Sequence, residues 1–409
     1  MRILLWIQWF DPEPQIKGLP FAKKLRELGN EVEVLTGYPN YPEGKIYPGY
    51  SIKPFQVQTM EGIRVMRVPL YPSHDTSSLR RILNYVSFGL TSFLAGLLVV
   101  RRIDAIYVCG PPVTVGVAAA LVGKLRRIPF FYDVQDLWPD SLGATGMFNS
   151  SLGARVIAGV CKWVYQRATH ITVQSPGVRD RLIERGVAAH KISLIYNWCD
   201  EASMGGRPTI KVELGHNHPD RASAATFGVL FAGNIGKAQD MDAVLEAARL
   251  LQTENSAIRI MLLGGGVEVP RLKEAAEMQH IANVSFLPRV PMSQAGILLA
   301  QADALLVHLK DDPLFRITIP AKTQAYMAAG KAIVMAVAGD ASRLVIDGDA
   351  GICALPSNAR SIADAIQKLA ALPRDDLQKM GRNGRELYWS NMSMEVGARK
   401  FLAIFQQCT

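Results

Sequence analysis

The stretch LFRITIPAKTQAYMAAGK, residues 314–331, decides how this chain is read. β-Branched Ile317, Thr318 and Ile319 lead to Pro320, and a helix carrying Gln324, Tyr326 and Met327 follows. Gly330 closes that helix where a left-handed backbone costs least for a residue without a Cβ. The apolar run AIVMAV, residues 332–337, predicts a strand. A strand-to-helix turn around Pro320 is therefore expected, and backbone N–H groups at a positive helix end suit a diphosphate. Upstream, Val229-Leu230-Phe231-Ala232 predicts a strand, Gly233-Asn234-Ile235-Gly236-Lys237-Ala238-Gln239 a loop, and a helix starts at Met241. Two glycines in that loop let backbone approach an anion, and Lys237 adds a mobile charge. Two such turns in one half of a chain, separated by further βα units, point to a nucleotide-sugar site at the strand ends of a doubly wound sheet.

Working outward, strands are expected over 3–7, 31–35, 104–109, 130–134, 171–174 and 192–195 in the first half. The second half has them over 229–232, 259–263, 284–287, 304–308, 332–337 and 351–354. Helices alternate with them, so the fold class is α/β, with two Rossmann-like doubly wound domains facing a cleft. The expected boundaries are 1–200 for a first domain and 226–384 for a nucleotide-sugar domain. Between them lies a polar connection over 201–225 with Gly205, Gly206, Pro208, Gly215 and Pro219. Residues 385–409 are expected to form a helix folding back on the first domain. At 409 residues the chain is long enough for two cores. The long Pro/Gly/Tyr-rich loop from Gly37 to Gly49 is expected to be functional or a covering lid.

The net charge of +9 is uneven: residues 1–200 hold 23 Lys+Arg against 15 Asp+Glu, and the remainder 22 against 21. No basic run interleaved with aromatics suggests nucleic acid, so an anionic membrane surface comes first as partner. Residues 82–100 carry no charge and are flanked by Arg80, Arg81, Arg101 and Arg102. Because strands on either side belong to one sheet, this run is read as a buried or membrane-dipping helix, not a span. Five cysteines, an odd number without a CxxC pair, read as free thiols in a reducing compartment and make a metal site unexpected. The first residues, MRILLWI, read as a strand and not a signal peptide.

Four stretches resemble the retaining family 4 glycosyltransferases, two-domain GT-B enzymes: TGYPNYP (36–42), DVQDLWPDS (133–141), FAGNIGKAQ (231–239) and PAKTQAY (320–326). The likeness is closest to the bacterial branch that transfers 2-acetamido-2,6-dideoxy-L-hexoses, such as L-N-acetylfucosamine, in O-antigen or capsule assembly. Departures are present. The family's two Glu positions correspond to Ile317 and Ala325, its diphosphate-binding Arg and Lys to Asn234 and Gln239, and the His before its first-domain Asp to Gln135. Gly18 stands alone where many relatives have a Gly pair.

The resemblance implies transfer with retention from a UDP-sugar to a polyprenyl-diphosphate-linked glycan, with no cofactor and no metal bridging the diphosphate. The enzyme would be cytoplasmic and peripheral on the inner face of the bacterial plasma membrane. Asp136 and Lys322 would be catalytic, Asp136 facing the donor sugar unless it merely caps a helix. Gly18, Gly233, Asn234, Gly236, Lys237 and Gln239 would hold the donor. Arg289 and Val290 would receive uracil through their backbone. Thr318, Ile319, Pro320, Thr323 and Tyr326 would face sugar and diphosphate. Tyr38 and Tyr41 would serve the acceptor, and Arg80, Arg81, Arg101 and Arg102 the acceptor and membrane. His308 reads as a core or cleft residue, Gly264-Gly265-Gly266 as a tight turn, and Asp311-Asp312 as a solvated strand end. A UDP-N-acetylhexosamine 2-epimerase-like enzyme and a non-catalytic transferase-like subunit stay open as alternatives.

Overall fold

The structure, a computed structural model, describes residues 1–74, 77–100, 102–144, 151–205, 226–255 and 257–408. The chain divides into two compact units, Met1–Tyr196 with Met394–Thr409, and Asn197–Ser393. Arg101 and most of the expected connection, residues 206–225, lie outside the described residues. The part of that connection that is described, Glu201–Gly205, is a 3-10 helix of the second unit.

The first unit runs β1 (Arg2–Trp6), α1 (Leu19–Glu27), β2 (Glu31–Gly37), β3 (Gln56–Met60), β4 (Ile63–Val68), α2 (Ser78–Leu98), β5 (Ala105–Gly110) and α3 (Val113–Arg126). It continues through β6 (Phe130–Val134), α4 (Asp140–Ala144), α5 (Ser151–Arg167), β7 (His170–Val173), α6 (Pro176–Glu184) and β8 (Ile192–Leu194). The sheet order is β3-β4-β2-β1-β5-β6-β7-β8, parallel except for β3, which pairs antiparallel with β4. The expected strands fall on β1, β2 and β5 to β8. The β3–β4 hairpin was not expected, although Glu61 and Gly62, both at positive φ, make its two-residue turn.

The second unit begins with β9 (Phe227–Ala232), α7 (Met241–Glu254), β10 (Ile258–Leu263), α8 (Val269–Met278), β11 (Val284–Leu287), α9 (Met292–Gln301) and β12 (Ala304–His308). There follow α10 (Pro313–Arg316), α11 (Ala321–Ala329), β13 (Ala332–Ala336), α12 (Asp340–Asp347), β14 (Gly351–Cys353), α13 (Ala359–Ala370) and α14 (Arg374–Asn391). The sheet, β11-β10-β9-β12-β13-β14, is fully parallel, with its strand order reversing between β9 and β12. Its strands read as near-continuous apolar runs because helices cover both faces.

Two expectations need correction. The turn at Pro320 was expected to follow a strand, but the element before it is the single turn α10, because Asp312 accepts a bond from the Leu314 N–H at 2.9 Å and starts a helix there. The expected helix over 385–407 is two helices. α14 stops at Asn391, and α15 (Met394–Cys408) groups with the first unit, where Phe401 packs on Phe21 and Tyr107.

A buried charge pair also anchors the first unit. Lys17 Nζ sits 2.5 Å from Asp133 Oδ2, both side chains 1% exposed. The same oxygen accepts from Tyr107 (2.7 Å) and Gln135 (2.8 Å), while Oδ1 accepts from Thr172 (2.8 Å). Full satisfaction of this kind is what allows a carboxylate to stay in a core. It ties the strand ends of β5, β6 and β7 to the loop entering α1.

Candidate active site

The loop after β9 is braced from several directions. The N–H of Gly233 donates to Leu263 O (2.9 Å) and that of Ile235 to Gly265 O (2.9 Å). Gly264, at φ +141°, passes so close that a Cβ there would lie 2.0 Å from Gly233 O, and one on Gly266 2.1 Å from Ile235 O. The three glycines read as a tight turn thus form the wall against which the loop from Gly233 to Gln239 is pressed. The buried His308 donates from Nδ1 to Gln239 O (2.7 Å) and accepts at Nε2 from Ser357 N–H (3.0 Å), so its ring is neutral and structural. Burial also holds its pKa below the usual value.

Lys322 lies in the first turn of α11, beside this loop. Its Nζ is buried, has no hydrogen-bond acceptor among the described residues, and stands 3.5 Å from the centre of the Phe231 ring. A Cβ on Gly233 would be 3.4 Å from that nitrogen. Burial pushes the amine down to about 7. Lys322 is therefore a desolvated lysine, held by an aromatic face beside a glycine loop. An unpaired buried amine is expensive to keep, and such groups concentrate at functional sites. Neighbouring Thr323 is buried as well, its Oγ1 without a partner among the described residues.

The other expected donor residues divide. Asn234 and Lys237 are exposed on the loop, and Gly236 is buried within it. Thr318, Ile319 and Pro320 form the segment between α10 and α11, with the Thr318 hydroxyl turned to Phe315 O (3.3 Å). Arg289 and Val290 follow β11, next to the Gly264 N–H that donates to Leu287 O (3.1 Å). Two side-chain assignments are corrected. Tyr326 is fully buried and its hydroxyl is spent on Ala232, accepting from N–H at 2.7 Å and donating to C=O at 3.2 Å, so it braces the end of β9. Gln239 turns its side chain back to accept from Gly236 N–H (3.0 Å). Asp311 pairs with Arg316 (2.8 Å) and Asp312 caps α10.

In the first unit, Gly18 is the N-cap of α1, but Asp11 already fills that end: its Oδ2 accepts from Leu19 N–H at 2.6 Å. A Cβ on Gly18 would meet the same oxygen at 2.2 Å. Gly18 therefore serves Asp11, which corrects its expected donor-binding role. Asp136 is not a helix cap, since α4 starts only at Asp140. Its side chain reaches solvent at a rim where the surrounding protein still raises the carboxyl pKa by burial. Tyr38 is fully buried with its hydroxyl on Gln56 (3.3 Å), which corrects its acceptor role to a packing one. Tyr41 is half-buried, and the loop carrying it hangs on Glu13, whose Oε1 accepts from the N–H groups of Asn40 (2.7 Å) and Tyr41 (2.8 Å). Burial raises Glu13 to about 7. Arg80 and Arg102 are exposed, and Arg81 is half-buried.

Comparison with known proteins agrees with this division. The model of the glycosyl transferase 4-like domain matches residues 19–198, and that of glycosyl transferases group 1 matches residues 223–387. The chain is 26% identical to the Escherichia coli (strain K12) protein WcaI, which bears the name "Putative colanic acid biosynthesis glycosyl transferase", over 91% of this chain and 93% of that protein. It is 25% identical to the Pseudomonas aeruginosa "Probable glycosyltransferase WbjE" over 66% of each. Among solved structures, Anabaena Alr3699/HepE in complex with UDP-glucose superposes with a TM-score of 0.68 at 16% identity, over all of both chains. A glycosyl transferase 4-like domain followed by a glycosyl transferases group 1 domain, each on its own mainly parallel sheet, makes this chain a GT-B glycosyltransferase.

Proposed function

We propose that the protein is a retaining transferase moving an N-acetylated 6-deoxyhexosamine from a UDP-sugar to a polyprenyl-diphosphate-linked sugar, in bacterial surface polysaccharide synthesis. The observation that carries the donor half is the buried, unpaired Lys322 amine beside Gly233. In the transfer, the bond from the anomeric carbon to the diphosphate breaks and UDP leaves with its electron pair. The acceptor hydroxyl oxygen bonds that carbon, and its proton passes to the departing diphosphate. Charge thus grows on the β-phosphate, where Lys322 and backbone N–H groups stabilise it without solvent reorganisation. No bridging metal is needed when an amine supplies this charge. The name of the E. coli relative supports the polysaccharide context, and the resemblance carried jointly by the four stretches supports the sugar class.

The first unit would dock on the inner face of the plasma membrane through α2. This 21-residue helix exposes Leu79 (67%), Leu90 (63%) and Leu98 (76%), with Leu83 and Leu94 between them, and only 39% of its most apolar window is buried. Exposed Arg80 and Arg102 lie near the two ends of that row. Incubation with a panel of UDP-sugars and a prenyl-diphosphate-linked sugar in EDTA should yield an extended acceptor, UDP and a retained anomeric configuration. No transfer from any UDP-sugar, or transfer only after a divalent metal is restored, would refute this reading.

A further inference from the structure

A row of aromatic rings crosses the strand ends of the first unit. His74 meets Tyr41 edge-on at 4.7 Å between ring centres, and Tyr41 meets Trp9 at 5.0 Å. Trp9 lies edge-on to Tyr85 at 6.3 Å, and Tyr85 is 5.9 Å from Trp138. These five residues come from the loops after β1, β2, β4 and β6 and from α2, so one side chain from each converges on the end where parallel sheets bind ligands. Trp9, Tyr41 and His74 are only partly covered. A hydrophobic core would have closed over them.

Charge is placed around the row. The Asp136 carboxylate acts on both Tyr41 and Tyr85, while the Arg81 guanidinium acts on His74 and Tyr85. Arg81 Nε is buried, and neither it nor the Oγ of buried Ser73, next to His74, has a hydrogen-bond partner among the described residues. Arg81 stands in the first turn of α2, a turn with no acidic residue, and the same helix then carries its exposed leucines. One element thus offers, at its start, a guanidinium whose buried Nε has no partner among the described residues, and an apolar edge along about 30 Å of length.

We propose that Trp9, Tyr41, His74 and Tyr85, with Arg81, bind the glycosyl diphosphate end of the lipid-linked acceptor beside Asp136. The apolar C–H face of a pyranose packs on aromatic rings, which carry large contact area with few rotatable bonds. The planar guanidinium takes two diphosphate oxygens at once, which an ammonium in its place would not. The lipid then continues along the leucines of α2. This rests on the lipid-linked acceptor proposed above and assigns which residues receive it.

Calorimetric titration of wild type, Arg81→Gln, Arg81→Lys and His74→Ala with farnesyl-diphosphate-linked N-acetylglucosamine tests it, with farnesyl diphosphate and free N-acetylglucosamine as partial probes. UDP is titrated in parallel. The expected result is binding of the full probe at least tenfold tighter than of either part. Arg81→Gln should lose at least tenfold, with Lys rescuing in part, His74→Ala should also bind more weakly, and UDP affinity and thermal melting should be unchanged. Wild-type affinity in Arg81→Gln, or no binding of the full probe to wild type that does bind UDP, would overturn the assignment. Failure of the wild type to bind UDP would instead strike the donor reading and leave the acceptor result to be judged on its own titration.

Discussion

At Lys322 the chain keeps an amine where folding alone does not favour one. Lys322→Met retains the stem against Phe231 and removes the unpaired nitrogen. Unfolding in urea should show equal or greater stability, because a buried polar atom without a partner costs about 1–3 kcal/mol. Transfer should nevertheless slow by about 10²–10³-fold, as when one donor to a developing anion is removed. The pH dependence has a definite sign. The unfolded lysine holds its proton to near 10.5 and the folded one to about 7. Between those values the unfolded state binds more protons, so the contribution of Lys322 to stability rises with pH through that window, and Lys322→Met should lack the rise. The turn around Pro320 made Lys322 legible in the sequence. Its burial was not, because the covering ring, Phe231, sits on β9, far away in the sequence. Tyr38, Tyr326 and Gln239 were misread for a related reason: a polar side chain beside a motif faces ligand or backbone according to tertiary partners the motif does not contain.

At the scale of elements, the loop proposed to hold the donor depends on a neighbour that looked unconnected. Gly264→Ala places a methyl group against Gly233 O at a φ of +141°. It should lower the melting temperature and weaken UDP binding at least tenfold. Gly265→Ala has nothing within 4 Å of its new Cβ and no positive φ, and should stay within about 0.5 kcal/mol of wild type. Equal behaviour of the two variants in melting and titration would remove the glycine turn from the site. The strand pattern of both sheets was legible because buried parallel strands read as apolar runs. The β3–β4 hairpin escaped because its edge strand alternates Gln56, Gln58 and Met60 with Val57 and Thr59 in a weakly apolar pattern, although Glu61-Gly62 marked the turn. The break between α14 and α15 escaped because both helices are amphipathic and no Pro or Gly separates them.

For the whole molecule, the charge excess of residues 1–200 and the leucine row of α2 belong to the same unit. Wild type should sediment with anionic vesicles at low salt and be released by high salt. Leu83→Gln with Leu90→Gln should weaken that binding without lowering the melting temperature, since both side chains are exposed. Equal partition to neutral and anionic vesicles, or none to either, would contradict peripheral docking. The central claim is that the donor's diphosphate sits on Lys322 beside Gly233. Its most direct measurement is calorimetric titration of UDP at pH 8 in two buffers of different ionisation heat, for wild type and Lys322→Met. The free amine, with a pKa of about 7, is mostly neutral at that pH, and a bound diphosphate recharges it. Wild type should take up close to one proton per UDP, while Lys322→Met should take up none and bind at least tenfold more weakly. Equal affinity and equal proton balance in the two proteins would contradict the claim.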